Sequence, residues 1–174
     1  MNSSIDSFIL EYNDLYSSLV KNGQISSAIE LNSNYRKILL LSCASLYETR
    51  ITNMLKTFFK NVSNDERSFQ FLKNKAIERQ YHTYFDWEGN NVNKFLGLFG
   101  QDFKEQISNK IKNDSNREKQ AKAFLTIGLE RNKMVHENFM DYNLEKTFDE
   151  IVELHKQSSL FIDYLESVFV KPLS

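Results

Sequence analysis

One cysteine in 174 residues leaves no partner for an intrachain disulfide and no thiolates for a Cys-rich zinc site. Cys43 sits in the apolar run Ile38-Leu39-Leu40-Leu41-Ser42-Cys43-Ala44 and reads as a small core residue. One proline and five glycines are too few to punctuate a sandwich of short strands, so the scarcity points to long helices. With three isolated histidines and no Cys pair, the donor set argues against a metal centre, and no cofactor is implied. There is no Gly-rich phosphate loop, no His-Glu-x-x-His pair and no Gly-x-Ser-x-Gly elbow, which sets aside three common catalytic schemes. No uninterrupted apolar run approaches the roughly 20 residues of a membrane span. Met1-Asn2-Ser3-Ser4-Ile5-Asp6 carries no basic-then-apolar leader, so the chain is expected to be soluble and cytoplasmic, without a membrane partner. A net charge of −1 provides no global basic field, and any nucleic-acid contact must come from a local patch.

What is present is hydrophobic bulk, with fourteen Phe and eight Tyr to fill a core. The length suits one domain over residues 1–174, expected to be all-α: an antiparallel bundle of four to five main helices plus short inserted ones. Ser3 or Ser4 can cap a first helix bearing Ile5, Phe8, Ile9, Tyr12, Leu15, Tyr16 and Leu19 at helical spacing, and Asn22-Gly23 ends it. Ser27 and Glu30 have capping-box spacing for a second helix that runs to Phe58, with Asn32-Ser33-Asn34 a possible break. Its centre, Ile38 to Leu46, is apolar on nearly every side, as expected of a buried core helix or one that supplies a subunit interface. Glu48 comes next as an acid near the core, either orienting a catalytic group or pairing with Arg50 or Lys56.

Residues 61–66 read as a loop with a cap for a short helix carrying Phe69, Phe71, Leu72 and Ile77. Tyr81 to Asn91 has no clear period and reads as an aromatic loop, able to close a core or to stack single-stranded RNA bases, with His82 a weak candidate. Two short helices, 91–99 and 102–111, flank Gly100. Lys110, Lys112, Arg117, Lys119 and Lys122 then gather positive charge, either a phosphate-attracting patch or a solvated helix face. Asp114 or Ser115 can cap a helix from about Asn116 to Val135 or His136. Thr147 and Glu150 form a second capping box and open a last helix, with His155 on its buried face as a hydrogen-bonded core histidine and Pro172 as its stop.

The helix before residue 137 holds the main functional clue. Leu125, Leu129, Asn132 and His136 succeed one another at steps of four, three and four, so one face begins apolar and turns polar. A core stripe that ends in Asn and His breaks the usual rule, as functional sites often do. Arg131 is offset: at about 100° per residue it stands roughly 140° from His136, so the two converge on one ligand only if the helix end loosens or a second chain completes the pocket. The bland reading stands beside this one, because the helix dipole favours His near a C-terminus and Arg is readily solvated there.

Leu129-Glu130-Arg131-Asn132-Lys133-Met134-Val135-His136, with Asn138-Phe139 behind it, resembles the HEPN superfamily of helical proteins. The signature there is Arg, a polar residue, then His after four to six intervening positions. Phe124 to Gly128, Leu144 to Ile151 and the core segment Leu41 to Glu48 resemble the RiboL-PSP-HEPN branch. The resemblance implies a metal-independent endoribonuclease, commonly a toxin or defence effector, acting as a homodimer whose two motifs share one cleft. An antitoxin or other regulatory protein is an implied partner. His136 would take the proton of a ribose 2′-hydroxyl, Arg131 would hold the phosphate, Asn132 would orient the imidazole or a phosphate oxygen, Glu48 would support them, and Lys133 would join the cations facing RNA. The alternative is a non-catalytic module of the same fold that binds a nucleotide, an RNA or a protein.

Overall fold

The computed structural model describes residues 4–170, and Ser3 and Pro172 of the expected helix ends lie outside them. Among the described residues every regular element is helical: α1 Ser4–Lys21, α2 Ile25–Val62, α3 Glu66–Leu72, α4 Tyr81–Tyr84, α5 Asn93–Gly97, α6 Gln101–Lys112, α7 Ser115–His136 and α8 Phe148–Val170. A π-helical turn, Lys73–Ile77, prolongs α3.

The turn out of α1 depends on Gly23. Its φ of 71° lets the Gly23 N–H reach the Val20 carbonyl at 3.0 Å and the Gln24 N–H reach Leu19 at 2.9 Å, the paired closure of a left-handed helix stop. The chain reverses at once into α2. That helix starts at Ile25, two residues before the Ser27 capping box, and Gln24 makes no side-chain cap bond. Nor does it break at 32–34, because the Tyr12 hydroxyl donates to Asn32 Oδ1 at 2.8 Å and α1 packs across that turn. α2 therefore runs for 38 residues, about 57 Å at 1.5 Å per residue, and α1, α3, α4, α7 and α8 pack along it while α6 packs on α7.

Side-chain pairings fix the directions. From α2, Arg36 reaches Lys146, Tyr47 meets His155, Arg50 pairs with Asp163 and Glu166, and Phe58 lies against Phe169, so α2 and α8 run the same way. Tyr47 also touches Phe124 while Lys37 meets Phe139, so α7 runs opposite to α2. Leu39, Leu40, Ile51, Phe124, Ile127, Phe161 and Ile162 are fully buried where the three meet. Tyr47 Oη lies 2.7 Å from His155 Nδ1 and donates to the His155 carbonyl at 3.1 Å, so this core histidine is satisfied as expected. Cys43 is buried too, and burial pushes its thiol up to about 12.

The segment between α2 and α7 departs from expectation in two places. Phe71 does not join the core of its short helix; it is exposed while Phe69 and Ile77 turn inward. The aromatic stretch 81–91 is only partly a loop, since it opens with the helical turn α4. Tyr81, Tyr84, Phe85 and Trp87 are buried and pack with Phe95 and Phe124, so they close the core and have no free face to stack on an RNA base. Burial raises the Tyr84 hydroxyl to about 12, and that hydroxyl donates to the Ala76 carbonyl at 2.6 Å. The insert is thus a lid of rings seated on α7.

Candidate functional site

α7 begins where the Asp114 carboxylate accepts from the backbone N–H groups of Asn116 and Arg117, as that residue's cap chemistry predicts. Toward its C-terminus the expected face emerges from the core. Leu125 is buried, Leu129 partly so, Asn132 half-buried and His136 exposed on the last turn, while Met134 takes over the inward contact. Gly128 explains how the insert comes so close to this helix. A Cβ there would lie 2.0–2.1 Å from the Trp87 ring, so only glycine lets the indole rest on the helix backbone. Trp87 Nε1 in turn donates to the His82 carbonyl at 3.1 Å.

Two hollows flank this ridge. One is a narrow crevice where Ala44 and Glu48 of α2, Tyr81, His82 and Trp87 of the insert, and Gly128, Arg131 and Asn132 of α7 meet. The other, about 460 Å³ and open, is lined on its polar rim by Asp86, Glu88, Lys94, Lys133, His136 and Glu137. Arg131 faces the first and His136 the second, as the helical offset requires. Asn132 lines both, and its Oδ1 accepts from Arg131 Nη1 at 3.2 Å. Within one chain, therefore, Asn132 joins the two halves of the motif, and Trp87 stands between them.

Neither cation expected to neutralise Glu48 does so. Arg50 is taken by Glu166 and Asp163 at 2.6–2.9 Å, which raise its pKa, and Lys56 lies 3.5 Å from Glu78. Glu48 is left facing the crevice with Arg131. The Tyr81 hydroxyl beside them is pushed up by burial first and by the Glu48 charge second, with Arg131 opposing. His82, exposed, lines this crevice too.

The basic residues at the start of α7 are placed differently. Arg117 pairs with Asp114 at 3.2 Å and stacks over Tyr164, Lys122 pairs with Glu118 at 2.8 Å, and Lys119 lies 3.9 Å from Glu153. Lys112 lines a polar hollow with Lys122, while Lys110 is exposed on α6. Lys122, at the near end of this cluster, stands nine residues before Arg131, roughly 14 Å along the helix. Lys133 is adjacent to His136 but shares Glu130 at 3.6 Å. Among the described residues no group of three or more His, Cys, Asp or Glu is arranged to hold a metal, and no helix is long and apolar enough to cross a membrane.

The family profile of RiboL-PSP-HEPN matches residues 7–171, nearly the whole chain. The chain belongs to the RiboL-PSP-HEPN family. No curated protein and no solved structure gives a match. In this HEPN chain the residues that resemble the family's motif lie on α7 and the segment Leu41 to Glu48 lies on α2, and the profile's span includes the insert that carries Trp87. One contact beside this helix end is not apparent from sequence. Lys37, although only 5% exposed, donates to the Phe139 and Met140 carbonyls just after His136, at 2.9 and 3.1 Å. Its only trace in the sequence is faint: a lysine at the head of a segment otherwise apolar on every side.

Proposed function

We propose that the chain is a metal-independent endoribonuclease of HEPN type, working as a homodimer, and that it serves as a toxin or defence effector held in check by a partner protein. The observation that carries this reading is the arrangement around Asn132. A guanidinium is held against its carbonyl end on one side, and an exposed imidazole ends the same helix on the other. Imidazole is the side chain whose ordinary pKa lies nearest neutrality, so neutral His136 can accept the 2′-hydroxyl proton as that oxygen attacks the adjacent phosphorus. The P–O5′ bond breaks and O5′ takes a proton from water, leaving a 2′,3′-cyclic phosphate and a 5′-hydroxyl, and the hydroxide so formed is neutralised by the proton His136 took up. Arg131 offers a planar fork of donors to the phosphate oxygens as negative charge builds there. Family membership supports the assignment of these roles.

The separation of Arg131 from His136 supports the dimer. The His136 hollow is rimmed by Asp86, Glu88 and Glu137 against Lys94 and Lys133, a balance that does not attract phosphate. A second copy that brings its Arg131 to this rim supplies the missing cation. The test is incubation of purified protein with structured RNA in EDTA, beside His136→Ala. Cleavage by wild type alone, with cyclic-phosphate ends and no action on DNA of the same sequence, is expected. Intact RNA at high protein concentration, or equal cleavage by the variant, points instead to a non-catalytic binding module.

A further inference from the structure

His136 is the last residue of α7, where helices fray, yet its placement matters to better than about an ångström if it is to act as a base. Beyond it the chain has no regular structure from Glu137 to Thr147. That stretch is ordered from within by Asn138, whose Nδ2 donates to Asp141 Oδ2 at 2.6 Å, and whose Oδ1 and carbonyl accept from the N–H groups of Met140, Asp141 and Tyr142. It is tied to the motif helix by the Tyr142 hydroxyl, which donates to Glu130 Oε2 at 2.8 Å. These contacts shape the loop. Leu144, fully buried, and Tyr142 seat its second half in the core.

Two neighbouring cations of α2 hold the backbone on either side of those residues. Arg36 Nη1 donates to the Lys146 carbonyl at 3.4 Å, near the loop's far end. Lys37 Nζ donates to Phe139 and Met140 and sits 5.4 Å from the centre of the Phe139 ring. So deeply buried a lysine is unusual, and this one makes no ion pair with a carboxylate of the described residues. Its charge is met instead by two carbonyl dipoles and a ring face. Drawing an ammonium partly out of water without a counter-ion costs solvation, and an apolar residue of equal length would fill the same space without that cost. Packing alone does not call for lysine here, whereas holding two successive carbonyls three and four residues beyond His136 does.

We propose that Lys37 is a positioning residue: its ammonium clamps the Phe139–Met140 backbone to α2 and thereby sets where the His136 imidazole sits. This rests on the ribonuclease reading only for its catalytic consequence. The test uses the full chain. In wild type, amide hydrogen exchange at Asp141 and Tyr142 is slow despite their place in a loop, and rapid exchange there overturns the proposal without any variant being needed. Lys37→Met keeps the length and removes the donor. Exchange at those amides then rises on the order of tenfold or more, and the His136 ring resonances shift, while those of His82 stay put. In RNA cleavage kcat falls by about a hundredfold with KM little changed, as expected when the base is misplaced and substrate binding is not. A folded Lys37→Met protein whose loop exchange and His136 resonances match wild type overturns the clamp. A loosened loop with unchanged kcat overturns the positioning role. Because the exchange and resonance measurements need no substrate, a wild type that cleaves no RNA defeats the ribonuclease reading and leaves the clamp still measurable.

Discussion

His136 and Gly128 share a helix and make opposite predictions. His136 is exposed and anchors nothing in the core. Replacing it with Ala is expected to leave the melting temperature within a degree or two and to lower the cleavage rate by about 10²- to 10⁴-fold, the usual worth of a positioned base. Gly128 has no chemistry to lose, but its missing Cβ is the space the Trp87 ring occupies. Gly128→Ala must push the indole off α7, at a cost of about 1–3 kcal/mol for overpacking, read as a lower urea midpoint. An unchanged midpoint would show that the insert is not seated on the helix as described. In the sequence Arg131, Asn132 and His136 stand out through their spacing together with the resemblance to HEPN proteins, which is what proposes their roles. The sequence did not display Gly128 as a contact, because a glycine within a helix reads only as a weak helix former until the ring above it is known.

At the scale of elements, local chemistry and tertiary packing divided the work unevenly. The Thr147–Glu150 box forms as its spacing implies: the Thr147 N–H and hydroxyl both donate to Glu150 Oε2, and the Glu150 N–H donates to Thr147 Oγ1 at 3.2 Å. These contacts also hold the Glu150 carboxyl below its ordinary range, the Thr147 backbone bond contributing most. Thr147→Ala should lower stability by about 1 kcal/mol, measured by chemical denaturation, with α8 otherwise intact. The same pattern at Ser27 and Glu30 is not the start of α2, because α1 folds back on that turn and the helix is already under way. Capping motifs report what a helix end can do; packing decides whether an end is there. The aromatic stretch 81–91 was illegible for a related reason, since its rings have no period when read along the chain and acquire a shared purpose only against Phe95 and Phe124.

For the molecule as a whole, the core and the proposed assembly each make a prediction. Burial holds the His155 imidazole below its usual 6.5, with the Asp6 charge opposing the shift and the Arg50 charge adding to it. Below 6.5 the unfolded chain takes up a proton there that the folded chain resists, so stability falls as pH drops through that range. Denaturation midpoints at about pH 7.5 and 5.5 should show a loss in wild type that is smaller in His155→Gln. For the assembly, Arg131→Ala and His136→Ala are each expected to be inactive alone. Mixed and allowed to exchange subunits, they should recover roughly a quarter of wild-type activity, because half of the dimers then hold one intact composite site of two. No recovery, with mixed dimers confirmed by mass, would mean that Arg131 and His136 act within one chain.

The helical class, the family and the long core helix could all be read without coordinates, because each rests on periodicity, spacing or residue type along the chain. Even the offset between Arg131 and His136 came from helix geometry alone. The fold had to be known before it was clear where α2 begins, that Phe71 turns outward, that Trp87 divides the surroundings of Arg131 and His136 into two hollows, and that Glu48 lines a crevice with Arg131 instead of pairing with Arg50. The fold also brought Lys37 to the carbonyls of Phe139 and Met140, some hundred residues away. A contact between distant parts of the chain leaves no periodic trace in either one, so it becomes legible only when the fold has placed them together.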